Sequence, residues 1–409
     1  MVNSKSIQAG AAKPLGKVTE FVDSRSTGGA ETEARARRFR LMDVARRCLP
    51  ANKRLAACMR VPAKGALVVK TMYHPETGGA GFRGLCRCAD GKVCAGCAVQ
   101  LGEKKREELA SGVVVVNVTG ACYLMTLTTS HKIGDGLADL ISRFDQAKRE
   151  MRQARGYRAA LDSWGGSKNV KTVTAWELTW SALNGWHYHQ HVLVFVLDAT
   201  KQQLPADQFA AAARSAWEHA AAKNGLTMNS HGFDWQATRG AIADYVAKFG
   251  HEPARRPWGP EDEACKAHAK SGHVVAAALP KSTHLTPFQF LGLLDEGVTQ
   301  VFGYDLAALF AEYAAATKGK AQLKWSPGLR KALALGAEKT DAELVEETEE
   351  GAVCLGVIPA QDWRIVLAND ARADLLEQVS SGDFEQVRAW LSALGVRYAR
   401  PLKKRDEAA

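Results

Sequence analysis

The sequence predicts an α+β fold: an antiparallel sheet of split-βαβ type with helices on one face, a Cys-rich module before it and a helical C-terminal region after it. Three observations carry that expectation. Residues 184–196 read N-G-W-H-Y-H-Q-H-V-L-V-F-V, a turn signal followed by an aromatic and β-branched run. Residues 86–97 hold four Cys at C-x-C-x5-C-x2-C spacing. Between and beyond these, the hydrophobic periodicity runs in the order β, β, α, β, β, α, the succession of a split-βαβ unit.

Residues 1–30 are rich in Gly, Ser, Thr and Ala and read as a flexible arm. From 31 to 60 the chain turns basic (Arg35, Arg37, Arg38, Arg40, Arg46, Arg47, Lys53, Arg54), and Phe39, Leu41, Met42 and Val44 suggest a helix. Its charges suit a solvated face as well as a contact with DNA. Residues 31–111 are therefore expected to form a basic helix plus a Cys-rich, zinc-like module. In that module C-A-G-C is a knuckle, a tight turn that brings Cys94 and Cys97 to one ion, and Asp90-Gly91 turns the two Cys pairs toward each other. Cys86, Cys88, Cys94 and Cys97 are the expected structural zinc ligands. The spacing between pairs is shorter than in a zinc ribbon, so one of Cys86 and Cys88 is open to replacement by Cys48 or Cys58. Free thiols or a redox pair are the competing reading. A helix is expected over 100–111.

Residues 112–252 carry the sheet. Strand-like runs at 113–118 and 122–129 are split by Thr119-Gly120, and the second alternates Thr126 and Thr128 with Leu127. A long helix to about 158 has Leu137, Leu140, Ile141, Phe144, Ala147 and Met151 on its apolar face. Its outer face carries Arg143, Lys148, Arg149, Arg152, Arg155 and Arg158. The β-branched and aromatic run 170–180 pairs across 181–185 with the His-bearing strand. A helix over 204–224 opens after Pro205 and stops at Gly225. A short strand at 232–236 and a compact helix at 239–249 complete the unit, with Tyr245 and Lys248 at i, i+3 on one face. Residues 253–345 are a connector and a helical region from Thr286 to Leu335, including an acidic stretch from 341. Residues 346–409 form a small C-terminal region, αβ or helical. No repeat occurs.

Composition bounds the function classes. The 409-residue chain carries 54 Lys and Arg against 44 Asp and Glu, a net charge of +10 that favours a polyanionic partner through counterion release. An odd nine Cys without an apolar signal segment argues against a disulfide framework and for a cytoplasmic protein. No apolar run is long enough to span a bilayer.

Alternation on a strand puts His187, His189 and His191 on one face and Tyr188, Gln190 and Val192 on the other. A hydrogen-bonded His ladder is the ordinary reading. Three imidazoles with an acid, Glu177, on the neighbouring strand are instead a platform for a divalent ion. Beside such an ion, a Tyr hydroxyl is a nucleophile for phosphorus, and a Lys supplies positive charge near phosphate or tyrosinate.

At this point the motifs resemble a known family. Asn184-Gly185-Trp186-His187 followed by His189-Gln190-His191-Val192-Leu193-Val194 is similar to the His-hydrophobic-His motif of HUH endonucleases, and in particular of plasmid rolling-circle replication initiators. The order in that family is a T-L-T strand, the His strand and a Y-x-x-K helix. Here these are Thr126-Leu127-Thr128, His189 with His191, and Tyr245-Val246-Ala247-Lys248. The segment Ser130-His131-Lys132-Ile133-Gly134-Asp135, the preceding Cys-rich stretch, E-Y-A-A-A-T-K-G and W-S-P-G-L-R also resemble it, so the likeness covers roughly residues 80–345.

The resemblance implies an HUH-type sheet, ferredoxin- or RRM-like, in a nuclease domain at 112–252. It implies a site- and strand-specific endonuclease and strand transferase acting on plasmid origin DNA, single-stranded or in a hairpin. Tyr245 would form a 5′-phosphotyrosine link and free a 3′-hydroxyl primer, with Lys248 beside it. His189, His191 and Glu177 would hold Mg2+ or Mn2+, with His187 a further candidate or a support of the turn. Host helicase and polymerase are the partners implied. Gln190 departs from the family's hydrophobic residue but points to the opposite face. Phe249 excludes a second Tyr there, and Ala241 stands where some relatives carry a Glu; Asp244 is adjacent, on another face. Two other classes remain: a conjugative relaxase or single-strand transposase with the same chemistry, and a non-enzymatic zinc-dependent nucleic-acid-binding protein.

Overall fold

The structure is a computed structural model that describes residues 29–237, 279–347 and 351–401. Ten strands are labelled in chain order: β1 Val68–Tyr73, β2 Ala80–Arg83, β3 Ala121–Thr128, β4 Val170–Ser181, β5 Gly185–Val196, β6 Phe233–Ala237, β7 Gln300–Val301, β8 Tyr304–Asp305, β9 Leu323–Trp325 and β10 Val353–Pro359. The longer helices are α1 Gly29–Cys48, α2 Ala95–Thr119, α3 Leu137–Gln153, α4 Arg155–Asp162, α5 Ala206–Lys223, α6 Pro287–Asp295, α7 Leu306–Ala316, α8 Arg372–Ser380 and α9 Phe384–Ala393. None of the described helices is long and apolar enough to cross a membrane.

The main sheet is antiparallel throughout, in the order β6-β3-β5-β4-β9. Its centre is the β4–β5 hairpin, where Gly185 takes φ +76° and a Cβ would stand 3.1 Å from the Lys132 carbonyl oxygen. Both the left-handed backbone and the close approach require glycine there, which is what the Asn-Gly signal encodes.

One face of this sheet is largely apolar, with a polar patch at Thr174 and Gln190. Met125, Leu127, Trp176, Leu178, Tyr188, Val192 and Val194 are buried there, against the buried stripes of α3 (Leu140, Phe144, Ala147) and α5 (Phe209, Ala213, Trp217). The Phe144 ring meets Tyr188 edge-on at 5.0 Å and Trp217 at 4.8 Å. Burying such a side chain contributes roughly 1.5–3 kcal/mol. Trp217 Nε1 donates to the carbonyls of Thr128 and Gly232, tying α5 to β3.

The other face is divided, and here the expectation of helices on one face only is corrected. Residues 113–118, expected as a strand, are the last turns of α2. Leu109, Val113 and Val116, at i, i+4 and i+7, bury against Leu124, Val173, Leu193 and Phe195 of the sheet. The β-branched residues lower helix propensity only slightly, and the buried stripe outweighs that cost. Gly120 ends the helix where a Cβ would lie 2.0 Å from the Val196 carbonyl oxygen. So α2 covers one half of this face and leaves the His-bearing half uncovered by it.

Other boundaries also differ. The expected helix to 158 breaks at Ala154, whose extended backbone (ψ 136°) separates α3 from α4. The expected helical stretch 286–335 is α6 and α7 separated by the β7–β8 ribbon, followed by edge strand β9. Thr286 and Gln289 close α6 with a reciprocal capping box and Pro287 opens its first turn.

A second, three-stranded sheet has the order β10-β1-β2, so residues 353–359 pair with residues 68–73 far away in sequence. Thr71 Oγ1 and the Tyr398 hydroxyl, 2.6 Å apart, join its middle strand to the chain's end. Helices α1, α8 and α9 pack beside it through Phe39, Leu375, Val379, Val387 and Leu391. The arm expected at 1–30 lies outside the described residues up to position 28.

Candidate metal centre and cysteine cluster

Register places the polar groups of the half-face beyond α2 in rows. Thr128 and Glu177 flank His189, and Thr126 and Ala175 flank His191. Glu177 Oε2 lies 3.2 Å from His189 Nε2 and 3.6 Å from His191 Nε2. One ligand atom from each of the three lies within 4.8 Å of the others. A buried carboxylate against two imidazoles is costly to leave as it is and well suited to an ion that replaces the lost solvation. Thr126 Oγ1 is 3.1 Å from His191 Nδ1, which turns Nε2 toward Glu177. His189 Nδ1 is buried with no hydrogen-bond partner among the described residues. Three donors on one side of a divalent ion leave its remaining positions open to phosphate or water oxygens.

His187 shares the face but not the ligand group. Its Nε2 is 2.9 Å from Thr128 Oγ1, and its ring stacks on His131 at 4.7 Å with His284 edge-on at 5.6 Å. Burial, followed by the neighbouring imidazoles, holds His187 down to about 3, so it is a neutral ring near pH 7. Burial lowers His131 and His284 as well. The hydroxyls of Thr126 and Thr128 orient imidazoles. His284 was missed: it reaches the site through an isolated bridge between Leu285 and Trp180, and its Nδ1 lies 3.2 Å from Thr179 Oγ1. The His just ahead of the Thr-Pro helix start was the available signal.

Gln190 points to the opposite face as expected. Its amide donates to Asp145 and to the Tyr188 hydroxyl, and it accepts from Lys148 Nζ at 2.7 Å. Tyr245 and Lys248, with Ala241, Asp244 and Phe249 of the expected 239–249 helix, lie outside the described residues.

In the Cys-rich module the converging set differs from the expected one by one residue. The sulfurs that converge are Cys58, Cys88, Cys94 and Cys97, all buried. Cys58 lies 3.7 Å from Cys94 and 3.8 Å from Cys97, and Cys88 lies 3.6 Å from Cys97. Four sulfurs about 2.3 Å from one tetrahedral ion stand about 3.8 Å apart, so this set fits a metal and is far too open for disulfides. Cys86 is outside the set, with its thiol 3.6 Å from the Pro62 carbonyl oxygen. Antiparallel hydrogen bonds between 59–63 and 84–86 swing its side chain away while delivering Cys58. Met59 and Ala89, each directly after a converging Cys, sit in the left-handed region at φ 57° and 52°, a strain of about 1–3 kcal/mol each that the cluster must repay. Arg46 clamps the Cys58 carbonyl at 2.7 Å. The neighbouring thiols, with Cys58 foremost and burial after them, push Cys94 up, while hydrogen bonds from Cys58, Cys88 and Cys94 hold Cys97 low.

The chain is 26% identical over 408 residues to a protein named "Protein rep" from Streptomyces lividans, with 85% of each chain covered. It is 27% identical over 164 residues to a "Neomycin resistance protein" from Streptomyces cyanogenus, covering 35% of this chain and 37% of that one. No family model and no solved structure matches.

Proposed function

We propose that this chain is a plasmid Rep protein that starts rolling-circle replication by nicking, and later rejoining, one strand of the origin in the manner of an HUH endonuclease. The observation that carries the reading is the convergence of Glu177, His189 and His191 on the half of a five-stranded antiparallel sheet that α2 does not cover. The likeness to a protein named for replication supports it at the level of the whole chain. The net charge of +10 suits a DNA partner.

In this reading Glu177, His189 and His191 hold Mg2+ or Mn2+, and Cys58, Cys88, Cys94 and Cys97 hold a structural zinc. When bound, the divalent ion supplies positive charge at the scissile phosphate. Thr126 keeps His191 Nε2 turned inward. Tyr245 gives up its phenolic proton and attacks phosphorus through that oxygen; the O–P bond forms as the bond to the departing 3′ oxygen breaks, and the 3′ oxygen takes up one proton in exchange to leave a 3′-hydroxyl primer. Lys248 offsets charge on the phenolate or phosphate. Host helicase and polymerase then act on the opened strand in the cytoplasm.

A conjugative relaxase is the second reading because His187 supplies a third imidazole. Its Nε2 contact with Thr128, rather than with Glu177, favours the replication reading. The test uses single-stranded oligonucleotides tiled across the parent replicon, with Mn2+. Wild type is expected to leave a covalent protein–DNA adduct that Tyr245→Phe abolishes. An adduct that survives in Tyr245→Phe refutes the nucleophile, and no cleavage by either chain favours a zinc-dependent binding protein.

A further inference from the structure

On the sheet face opposite Glu177, His189 and His191 lies a cavity of about 490 Å³ between α3, β4 and the 320–327 segment. Lys148, Arg149, Arg152, Lys320 and Lys324 line it, against the single carboxylate of Asp145. That carboxylate is already engaged: Lys320 Nζ lies 2.5 Å from Oδ2, and the Gln190 amide donates to Oδ1. Lys148 enters the cavity with only neutral acceptors, Thr174 Oγ1 at 2.9 Å and Gln190 Oε1 at 2.7 Å. Burial, followed by the charge of Arg152, pulls its ammonium down to about 7, the mark of a cation short of negative charge. Five cations held around a concave space with one occupied acid form a recess suited to an anion.

We propose that this cavity is a second anion site that takes backbone phosphates of single-stranded DNA on the face of the sheet remote from the metal centre. Lys148 forms its floor, while Arg152 and Lys324 are at its open rim. β9 is the edge strand, so a strand leaving the Glu177 face passes round that edge and presents its phosphates to Lys324. Naming DNA as carrier of the phosphate rests on the replication reading; the charge argument does not.

The test measures binding of full-length protein to a single-stranded oligonucleotide of arbitrary sequence, in EDTA, as a function of salt. Tyr245→Phe is the background, so nicking cannot intervene and its failure elsewhere leaves this result intact. The double change Arg152→Gln with Lys324→Gln, both exposed positions, is expected to weaken binding on the order of tenfold whatever the sequence. It should flatten the log–log salt slope by about 0.7 to 1.4, one or two phosphates' worth. Arg388→Gln, an exposed cation on α9 away from both sites, should leave the slope unchanged in the same background. Unchanged affinity and slope in the double variant overturn the proposal. In a second arm, inorganic phosphate is titrated by calorimetry. Phosphate binding that the double variant loses, with oligonucleotide binding intact, overturns the DNA assignment and makes the recess a site for small phosphates.

Discussion

Single side chains decide the proposed metal centre. His191→Ala removes a ligand and is expected to abolish Mn2+ binding at this site. Thr126→Val keeps the shape but frees the imidazole to turn, and should weaken Mn2+ binding about 10- to 100-fold, read by calorimetry. A Thr126→Val affinity equal to wild type contradicts the orienting role. The alternation of His187, His189 and His191 made the shared face legible in the sequence, as did Glu177 on the paired strand. The roles of Thr126, Thr128 and His284 were not legible, because each depends on cross-strand register or an isolated bridge that no local pattern encodes. Lys148 makes a separate prediction. Its folded-state pKa, about 7, lies below the ordinary 10.5, so the unfolded chain binds the proton more tightly between those values. The penalty is fully present below pH 7 and fades toward pH 10.5. Denaturant unfolding should therefore show wild type gaining stability on Lys148→Met as pH rises from 7 to 10. A constant difference would remove Lys148 from that role.

At the scale of elements, the knuckle and the helix that grows from it show where local pattern runs out. C-A-G-C brings Cys94 and Cys97 into the converging group, because a tight turn is a local device. The choice between Cys86 and Cys58 depended on the pairing of 59–63 with 84–86. Cys58→Ser is expected to lose the tightly bound zinc equivalent and Cys86→Ser to retain it, by colorimetric release of metal from purified protein. The reverse pattern contradicts the assignment. The same limit explains α2: a run of four Val reads as a strand on propensity, yet burial of Leu109, Val113 and Val116 at helical spacing decides the outcome. By contrast α3 was legible in its stripe, since all six apolar positions named from the sequence are buried.

At the scale of the molecule, strand pairing crosses the segments drawn on the sequence. The stretch 353–359 completes the sheet of 68–83, and α8 and α9 pack with α1. Long-range closure of this kind leaves no periodicity to read. Ending the chain after residue 347 should leave β1 and β2 as a two-stranded ribbon, which is marginal alone. Hydrogen exchange is expected to show loss of protection at 68–73 and 80–83, with β4 and β5 still protected. Unchanged protection at 68–73 would contradict the coupling. The widest claim joins the two halves of the chemistry: a divalent ion between Glu177, His189 and His191, and a phenol that works on the same face. A crystal grown with Mn2+ and a single-stranded origin oligonucleotide, measured at the manganese edge, tests both at once. The account predicts one anomalous peak roughly 2.0–2.2 Å from the two imidazoles and the carboxylate, with the Tyr245 hydroxyl on that side of the sheet. No peak there, or Tyr245 on the side of Gln190, contradicts it.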